Sequence, residues 1–420
     1  MKVIAVIAEF NPLHFGHAHL LRQIRRHSPA RSKIIVIMPE FFSQRGVPNL
    51  LSPSQRSKTA LSAGADLVLA LPEIFALSSA EGFAAGAVRS ILATGVTHEI
   101  ACGAEDPDYD KLRLISDLLS AESNQYKENL RAGIKDGLGF AAAREQAVLS
   151  ETQDPALASL LNKPNNILAV EYLKALKAYD RESKITLSLY PRIDSASASE
   201  IRETIQGIVL PIEHRKNRSA TAEISPELEL IRQLENKMPP YSLAPILYSC
   251  QEQKGPMLFE SMRDDVFFAL SQQDNTEISQ IAHMQQGLGD RLISLAGKKE
   301  HLDGSLSDFV QKAATRTHPA SRVRRALISL LLGMTISDLE ELTAPQYLKV
   351  LGFNKDGRYL LRLMRKLAKL PLINLASDYA DLDNEAAIRH KDITLTAAAL
   401  WHKNRGGNIN KYYQQKPVEF

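Results

Sequence analysis

The fold of this chain is decided by residues 1–26, MKVIAVIAEFNPLHFGHAHLLRQIRR. Val3 to Ala8 is an almost unbroken apolar run with β-branched residues, the pattern of a strand buried on both faces. A polar turn with Asn11, Pro12 and Gly16 follows. From His17 the spacing becomes helical, with Leu20, Leu21 and Ile24 on one face and Arg22, Arg25 and Arg26 on the other. Strand, tight loop and helix N-terminus form the place where α/β proteins hold phosphates, because the first helical amides lack partners within the helix. His14 and His17 stand three residues apart, so both rings can face one site across the first turn. Gly16 between them lets a ligand approach the backbone. Imidazole N–H groups together with helix amides can bind phosphate oxygens and stabilise charge that builds on them during displacement. The competing reading of the two rings is a metal pair or two surface histidines.

The totals bound the answer without deciding it. A chain of 420 residues has room for two or three domains. With 44% hydrophobic and 24% charged residues it is neither disordered nor a membrane protein by composition. No apolar stretch is long enough to span a bilayer, and the N-terminus enters a strand at once with Glu9 interrupting the apolar run. A cytoplasmic location without a membrane partner is expected. Cys102 and Cys250 make neither a disulfide framework nor a zinc site, and no metal site is expected from the sequence. The net charge of +3 says little until the basic residues are placed.

Beyond residue 26, further apolar runs alternate with helical segments. Lys33 to Met38, Ala65 to Leu71, Thr97 to Cys102 and Lys184 to Tyr190 read as strands. Ser54 reads as the cap of a helix to about Ala63, and Ser79 opens an Ala-rich helix. Residues 110–159 read as helices with little site chemistry. Pro164-Asn165-Asn166 opens another helix, with asparagine as an ordinary cap. This alternation predicts a parallel sheet with helices on both faces, whose ligands bind at the carboxyl ends of the strands. The Asn11–His17 loop, the Gln44–Gly46 loop and the Gly103 turn all fall at those ends. The segment from Ser195 to Arg202 is either a plain serine cap with a surface arginine or a set of hydroxyls and cations, with Arg192, that closes over a triphosphate.

Polar residues 219–226 suggest a boundary. The chain is expected to divide into a Rossmann-like α/β nucleotidylyltransferase domain (1–205), a linker (206–225) and a mainly α-helical domain (226–420). Helical periodicity is expected over 276–287 and 322–333, among others. Cations cluster from Lys312 to Lys369 and include Arg322, Arg324, Arg325, Arg358, Arg362, Arg365 and Lys366. Such a surface suits an RNA backbone, although a solvated helix face also explains any one charge run. Nothing is read from the tail beyond Asn404.

The His-x-Gly-His arrangement resembles that of the nucleotidylyltransferase superfamily, which includes the class I aminoacyl-tRNA synthetases. A narrower resemblance covers nearly the whole chain. AEFNPLHFGH, QRGVPNLLSPSQRSKTAL, GADLVLALP, CGAE, KPNNILAVEYLKAL and SASASEIR, then QQGLGDRL, SRVRRALISLLLGM and PQYLKVLGFNKDGRYLL, are similar in content and order to the bacterial tRNA(Met) cytidine acetate ligases. The resemblance implies that acetate and ATP form acetyl-adenylate, and that the acetyl group passes to N4 of the wobble cytidine of elongator tRNA(Met), leaving N4-acetylcytidine, AMP and diphosphate.

By the same resemblance ATP, a substrate with Mg2+ as a candidate companion, is held by Ile7, Ala8, Glu9, Phe10, Asn11, Pro12, Leu13, His14, Phe15, Gly16, His17, Ala18, His19 and Leu20. Gly103, Asn165, Arg192 and Ile193 complete that set. His14 and His17 are the catalytic pair, and Arg322, Arg324 and Arg325 are expected on the tRNA. A small-substrate nucleotidylyltransferase and a non-catalytic tRNA-binding protein are the alternative readings. The sequence departs from the family pattern at Pro39-Glu40-Phe41-Phe42, where members often carry Ser-Gly-Asn-Phe, and at Ile193-Asp194, where the loop is usually longer. Glu40 near a triphosphate would repel it unless the side chain points away or meets a cation.

Overall fold

In the computed structural model, which describes residues 1–213, 225–251, 255–298 and 304–420, β1 (Val3–Ile7) lies inside one sheet. On one side of it lie β2 (Lys33–Pro39) and β3 (Leu67–Leu71), and on the other β4 (Glu99–Ala104) and β5 (Thr186–Pro191), giving the order β5-β4-β1-β2-β3 with every pair parallel. Alternation along each strand sends residues to two separate cores. Ile4, Val6, Ile34, Val36 and Val68 pack beneath the helices Phe15–His27 and Pro53–Ser62. Val3, Ala5, Ile35, Ile37 and Leu69 pack beneath the helices Ala80–Ala93 and Pro164–Tyr179. The five strands fall where the apolar runs predict them, and both sheet faces are covered.

Two helix starts differ from the sequence reading. Ser52, not Ser54, caps the helix Pro53–Ser62, because its hydroxyl and amide form a reciprocal pair with Gln55. Asn165 and Asn166 do not cap the helix Pro164–Tyr179 but lie inside its first turn. Its free amides are taken by the Glu105 carboxylate, which accepts from Asn165 N and Asn166 N, each at 3.1 Å.

The second half is mainly helical but is not separate from the sheet. β6 (Leu348–Phe353) lies antiparallel on β3, pairing Leu67 with Phe353 and Leu69 with Val350. The tail also returns: β8 (Val418–Glu419) pairs with β6, after the short β7 (Leu372–Ile373). The strand in KVLGF is short and embedded among cations, so charge masks it in the sequence. The helix Ala198–Glu213 occupies the first part of the expected 206–225 linker, and residues 214–224 lie outside the described residues. Only Asn275–Gln280 of the expected 276–287 helix is helical; His283, Gln286 and Gly287 have positive φ and form a turn instead. Among the described residues no helix is long and apolar enough to cross a membrane.

Candidate active site

The loop from Glu9 to His14 is held from several directions. Arg56, 1% exposed, donates to the carbonyls of Glu9, Phe10, Pro39 and Glu40, so one guanidinium fixes the ends of β1 and β2 together. Burial lowers its pKa to about 10 while Glu9, Glu73 and Glu40 act the other way, and it stays charged at neutral pH. This clamp accommodates Phe10 at φ +48°, a conformation uncommon outside glycine. Asn11 bridges to the next loop through Pro48 O at 3.1 Å and Leu50 N at 2.9 Å.

The two histidines are locked in one tautomer by their neighbours. His14 is the N-cap of the helix Phe15–His27, and its Nδ1 accepts from Gly16 N at 3.1 Å. His17 Nδ1 accepts from His14 N at 3.3 Å. Backbone amides only donate, so both Nδ1 atoms present lone pairs, and a neutral ring then carries its hydrogen on Nε2. Burial, helped by Arg192, holds His14 at about 4, and burial with His14 itself pushes His17 well below the usual imidazole range. Both rings are therefore neutral Nε2–H donors at neutral pH. Uncharged, they stack with centroids 3.8 Å apart. A metal pair needs free imidazole lone pairs at Nδ1 or deprotonated Nε2; here backbone amides occupy the Nδ1 atoms. Gly16 is required at its place: a Cβ there would stand 2.7 Å from Ser195 Oγ and 2.9 Å from His14 Cε1.

These rings open onto a cavity of about 570 Å3 at the carboxyl ends of the strands. Ile7, Ala8, Glu9, Phe10, Asn11, His14, Gly16, His17, His19 and Leu20 line it, as do Gly103, Asn165, Arg192 and Ile193. Pro12, Leu13, Phe15 and Ala18 from the expected run are not in its wall; Leu13 and Ala18 turn into the core beneath the helix. Arg45, Arg192 and Arg202 bring three cations to the wall. Arg45 donates to Ser199 Oγ at 2.8 Å, and Arg202 donates to Ser199 Oγ at 2.9 Å and to Asn11 O at 2.7 Å. Arg202 is largely buried, so it is not the surface arginine of the plain-cap reading. Ser197 and Glu200 form the helix cap, while Ser199 and Arg202 face the cavity.

Most other wall residues lie inside segments that carry the resemblance, but nothing in the sequence marks them individually. Glu105 joins the Asn165 side chain (2.6 Å) to Arg192 (3.2 Å), so a turn after β4, a helix start and the end of β5 meet on one carboxylate. Phe83, Cys102, Ile167, Leu168 and Tyr172 form an apolar wall between two helices that only the packing brings together.

The arginines expected on tRNA have other partners. Arg324 donates to Arg45 O at 3.0 Å and Arg325 to Gln44 O at 3.1 Å, so both are half-buried fasteners of the Gln44–Gly46 loop. Arg322 donates to Gln285 O and Gln286 Oε1 and holds the turn that replaces the expected helix. None of the three lies on an open cationic face, because carbonyls of packed loops compete for their donors. Arg362, Arg365 and Lys366 are exposed on the helix Lys355–Leu367. That helix begins at the amino ends of β2 and β3, through Lys33–Asp356 at 2.5 Å and Asn354–Asp66, opposite the cavity. Glu40 does meet a cation: it is buried, and Lys349 Nζ stands 2.6 Å away, so the carboxylate that would repel a triphosphate is drawn behind the site.

A family model described as HIGH Nucleotidyl Transferase matches residues 1–410. A tRNA(Met) cytidine acetate ligase of Acetivibrio thermocellus is 31% identical over 406 residues, covering 96% of this chain and 94% of that protein. One from Caldanaerobacter subterraneus is 29% identical over 414 residues, 96% of each chain. The crystal structure of Thermotoga maritima TmcAL bound with alpha-thio ATP matches with a TM-score of 0.86 and 27% identity, over 100% of both chains.

Proposed function

The chain belongs to the HIGH nucleotidyl transferase family and, within it, to the tRNA(Met) cytidine acetate ligases, and from that premise we propose how its residues divide the work. The protein is an ATP-dependent ligase. Acetate and ATP give acetyl-adenylate and diphosphate, and the acetyl group then passes to N4 of the wobble cytidine of tRNA(Met), with release of AMP.

The observation that carries the residue assignment is the pair of imidazoles whose Nε2–H groups are turned outward by backbone donors, at a cavity with three arginines. Attack of acetate on the α-phosphorus needs no protein nucleophile. It needs the reactants held in line and the charge on the phosphate oxygens met by preorganised donors. His14 and His17 supply those donors without becoming charged. Arg45, Arg192 and Arg202 receive the diphosphate as it leaves. Gly103 lets the adenosine lie against the backbone, with Asn165 and Ile193 beside it. The RNA is elongator tRNA(Met), met first by Arg45 and Arg192, which are exposed at the rim, rather than by Arg322, Arg324 and Arg325. On this reading the reaction is cytoplasmic, as its tRNA substrate is.

Two measurements test this. Acetate should be required for exchange of labelled diphosphate into ATP. Incubation with ATP, labelled acetate and total bacterial tRNA should yield labelled N4-acetylcytidine after digestion to nucleosides. Exchange that ignores acetate, or label in any other nucleoside, overturns the assignment.

A further inference from the structure

Acyl transfer to cytidine poses a proton problem that the histidines do not solve. N4 of cytosine is a weak nucleophile because its lone pair is delocalised into the ring, and it must shed a proton as it becomes an amide. A base is needed with a free lone pair inside the cavity. His14 and His17 are excluded by their own geometry, since both Nδ1 lone pairs are taken by backbone amides and both Nε2 atoms carry hydrogen. Two carboxylates line the cavity, Glu9 and Glu105. Glu105 is occupied by Asn165 N, Asn166 N, the Asn165 amide and Arg192.

Glu9 differs. Its Oε1 accepts from Gln44 N at 2.6 Å, and among the described residues its Oε2 has no hydrogen-bond or ion-pair partner. The backbone beneath it is fixed by Arg56, which grips both Glu9 O and Phe10 O. The carboxylate is thus anchored at one oxygen and open at the other. Tyr172, 2% exposed, lines the same cavity and makes no hydrogen bond through its hydroxyl among the described residues. That hydroxyl lies within electrostatic reach of Glu9 and Cys102. Phe83, Leu168 and Cys102 give the same cavity apolar wall. A carboxylate oxygen, a free phenol and an apolar wall suit a flat heteroaromatic base with an exocyclic amino group, since carboxylates accept from cytosine N4 and unpaired bases lie against aromatic side chains.

We propose that Glu9 is the catalytic base of acetyl transfer: its Oε2 accepts a hydrogen bond from N4 of the target cytidine and takes that proton as N4 attacks the acetyl carbon. The N4–C bond forms, the bond from the acetyl carbon to the AMP phosphate oxygen breaks, and its electron pair leaves with AMP. The proton then passes from Glu9 to solvent. Oε1 stays on Gln44 throughout, so the Gln44–Gly46 loop orients the base while Arg45 of the same loop meets phosphate. The inference rests on the acetate-ligase reading above.

The test separates the two half-reactions in Glu9→Gln, which keeps an oxygen for the Gln44 amide but has no basic atom. Because Glu9 also lines the ATP cavity, the variant is judged by the ratio of its two losses: acetyl transfer at saturating tRNA should fall by about 10²–10⁴, the usual worth of a general base, and by at least about tenfold more than acetate-dependent diphosphate exchange. Hydroxylamine, a strong nucleophile that needs no base, should trap the adenylate as acetohydroxamate in the variant at the rate at which that variant forms it. Glu9→Asp, which keeps the base but retracts it, should lie between. A parallel loss of exchange and transfer, or transfer within tenfold of normal, overturns the proposal. Absence of acetate-dependent exchange in the unmodified protein would instead refute the functional reading itself.

Discussion

His14 uses one ring for two purposes. Its Nδ1 closes the first turn of the helix Phe15–His27, and its Nε2–H is left over for the phosphate in the proposed reaction. Replacing it by alanine should therefore cost about 0.5–2 kcal/mol of stability through the lost cap and lower adenylate formation by about 10²–10³. His17→Ala should show the same kinetic loss with the Gly16 cap intact. Denaturation midpoints and acetate-dependent exchange measured on the two variants check both. The ring also makes stability depend on pH. Burial holds His14 at about 4 against an ordinary 6.5, so between these values the unfolded chain binds a proton that the native chain does not. Stability from this source is complete above about pH 6.5 and is lost as pH falls toward 4. Thermal midpoints should drop over that interval, and drop less in a His14→Gln variant.

At the scale of an element, the Gln44–Gly46 loop is a joint between the two halves of the chain. Gly46 has φ +70°, and a Cβ there would lie 2.5 Å from Arg325 N and 2.7 Å from Arg324 C. The loop therefore presses directly on the backbone of the helix Ala320–Leu332, and Arg324 and Arg325 complete the seam. Gly46→Ala should cost about 1–3 kcal/mol and raise the KM for ATP, because Arg45 leaves its place over Ser199. Arg325→Ala should likewise weaken diphosphate exchange while leaving the salt dependence of tRNA binding unchanged. A flattened salt slope would instead show phosphate contact by that arginine. The same residue types would serve a basic surface equally well, which is why a run of cations in sequence does not reveal which of them are turned inward.

At the scale of the whole molecule, the C-terminal third braces the site from behind. Trp401 donates to Asn49 O at 2.8 Å, and Lys349 and Tyr412 both reach Glu40. Glu73 accepts from Phe41 N and Phe42 N, so the unusual Pro39–Phe42 segment is held by buried polar partners on every side. Glu40 and Lys349 have side-chain exposures of 3% and 11%. Removing one partner strands a buried charge, so Lys349→Met should lower stability by about 3–5 kcal/mol. A Glu40→Gln, Lys349→Met double variant should recover much of that loss in denaturant titrations. Independence of the two substitutions would show that the pair is not coupled.

The sequence by itself determined the parallel strands, the helix that follows the first of them and the pair of imidazoles, because these depend on periodicity and on residues within a turn of one another. It also located the three loops at the cavity mouth, since the carboxyl ends of parallel strands share one side of a sheet. Packing across the molecule settles which carboxylate is occupied and which has a free oxygen, which arginines line the cavity and which fasten loops behind it, and that KVLGF and the tail complete the sheet. Those outcomes depend on partners tens or hundreds of residues away. A charged side chain binds whichever donor or acceptor the packing delivers, and its own neighbours in the chain carry no record of that choice.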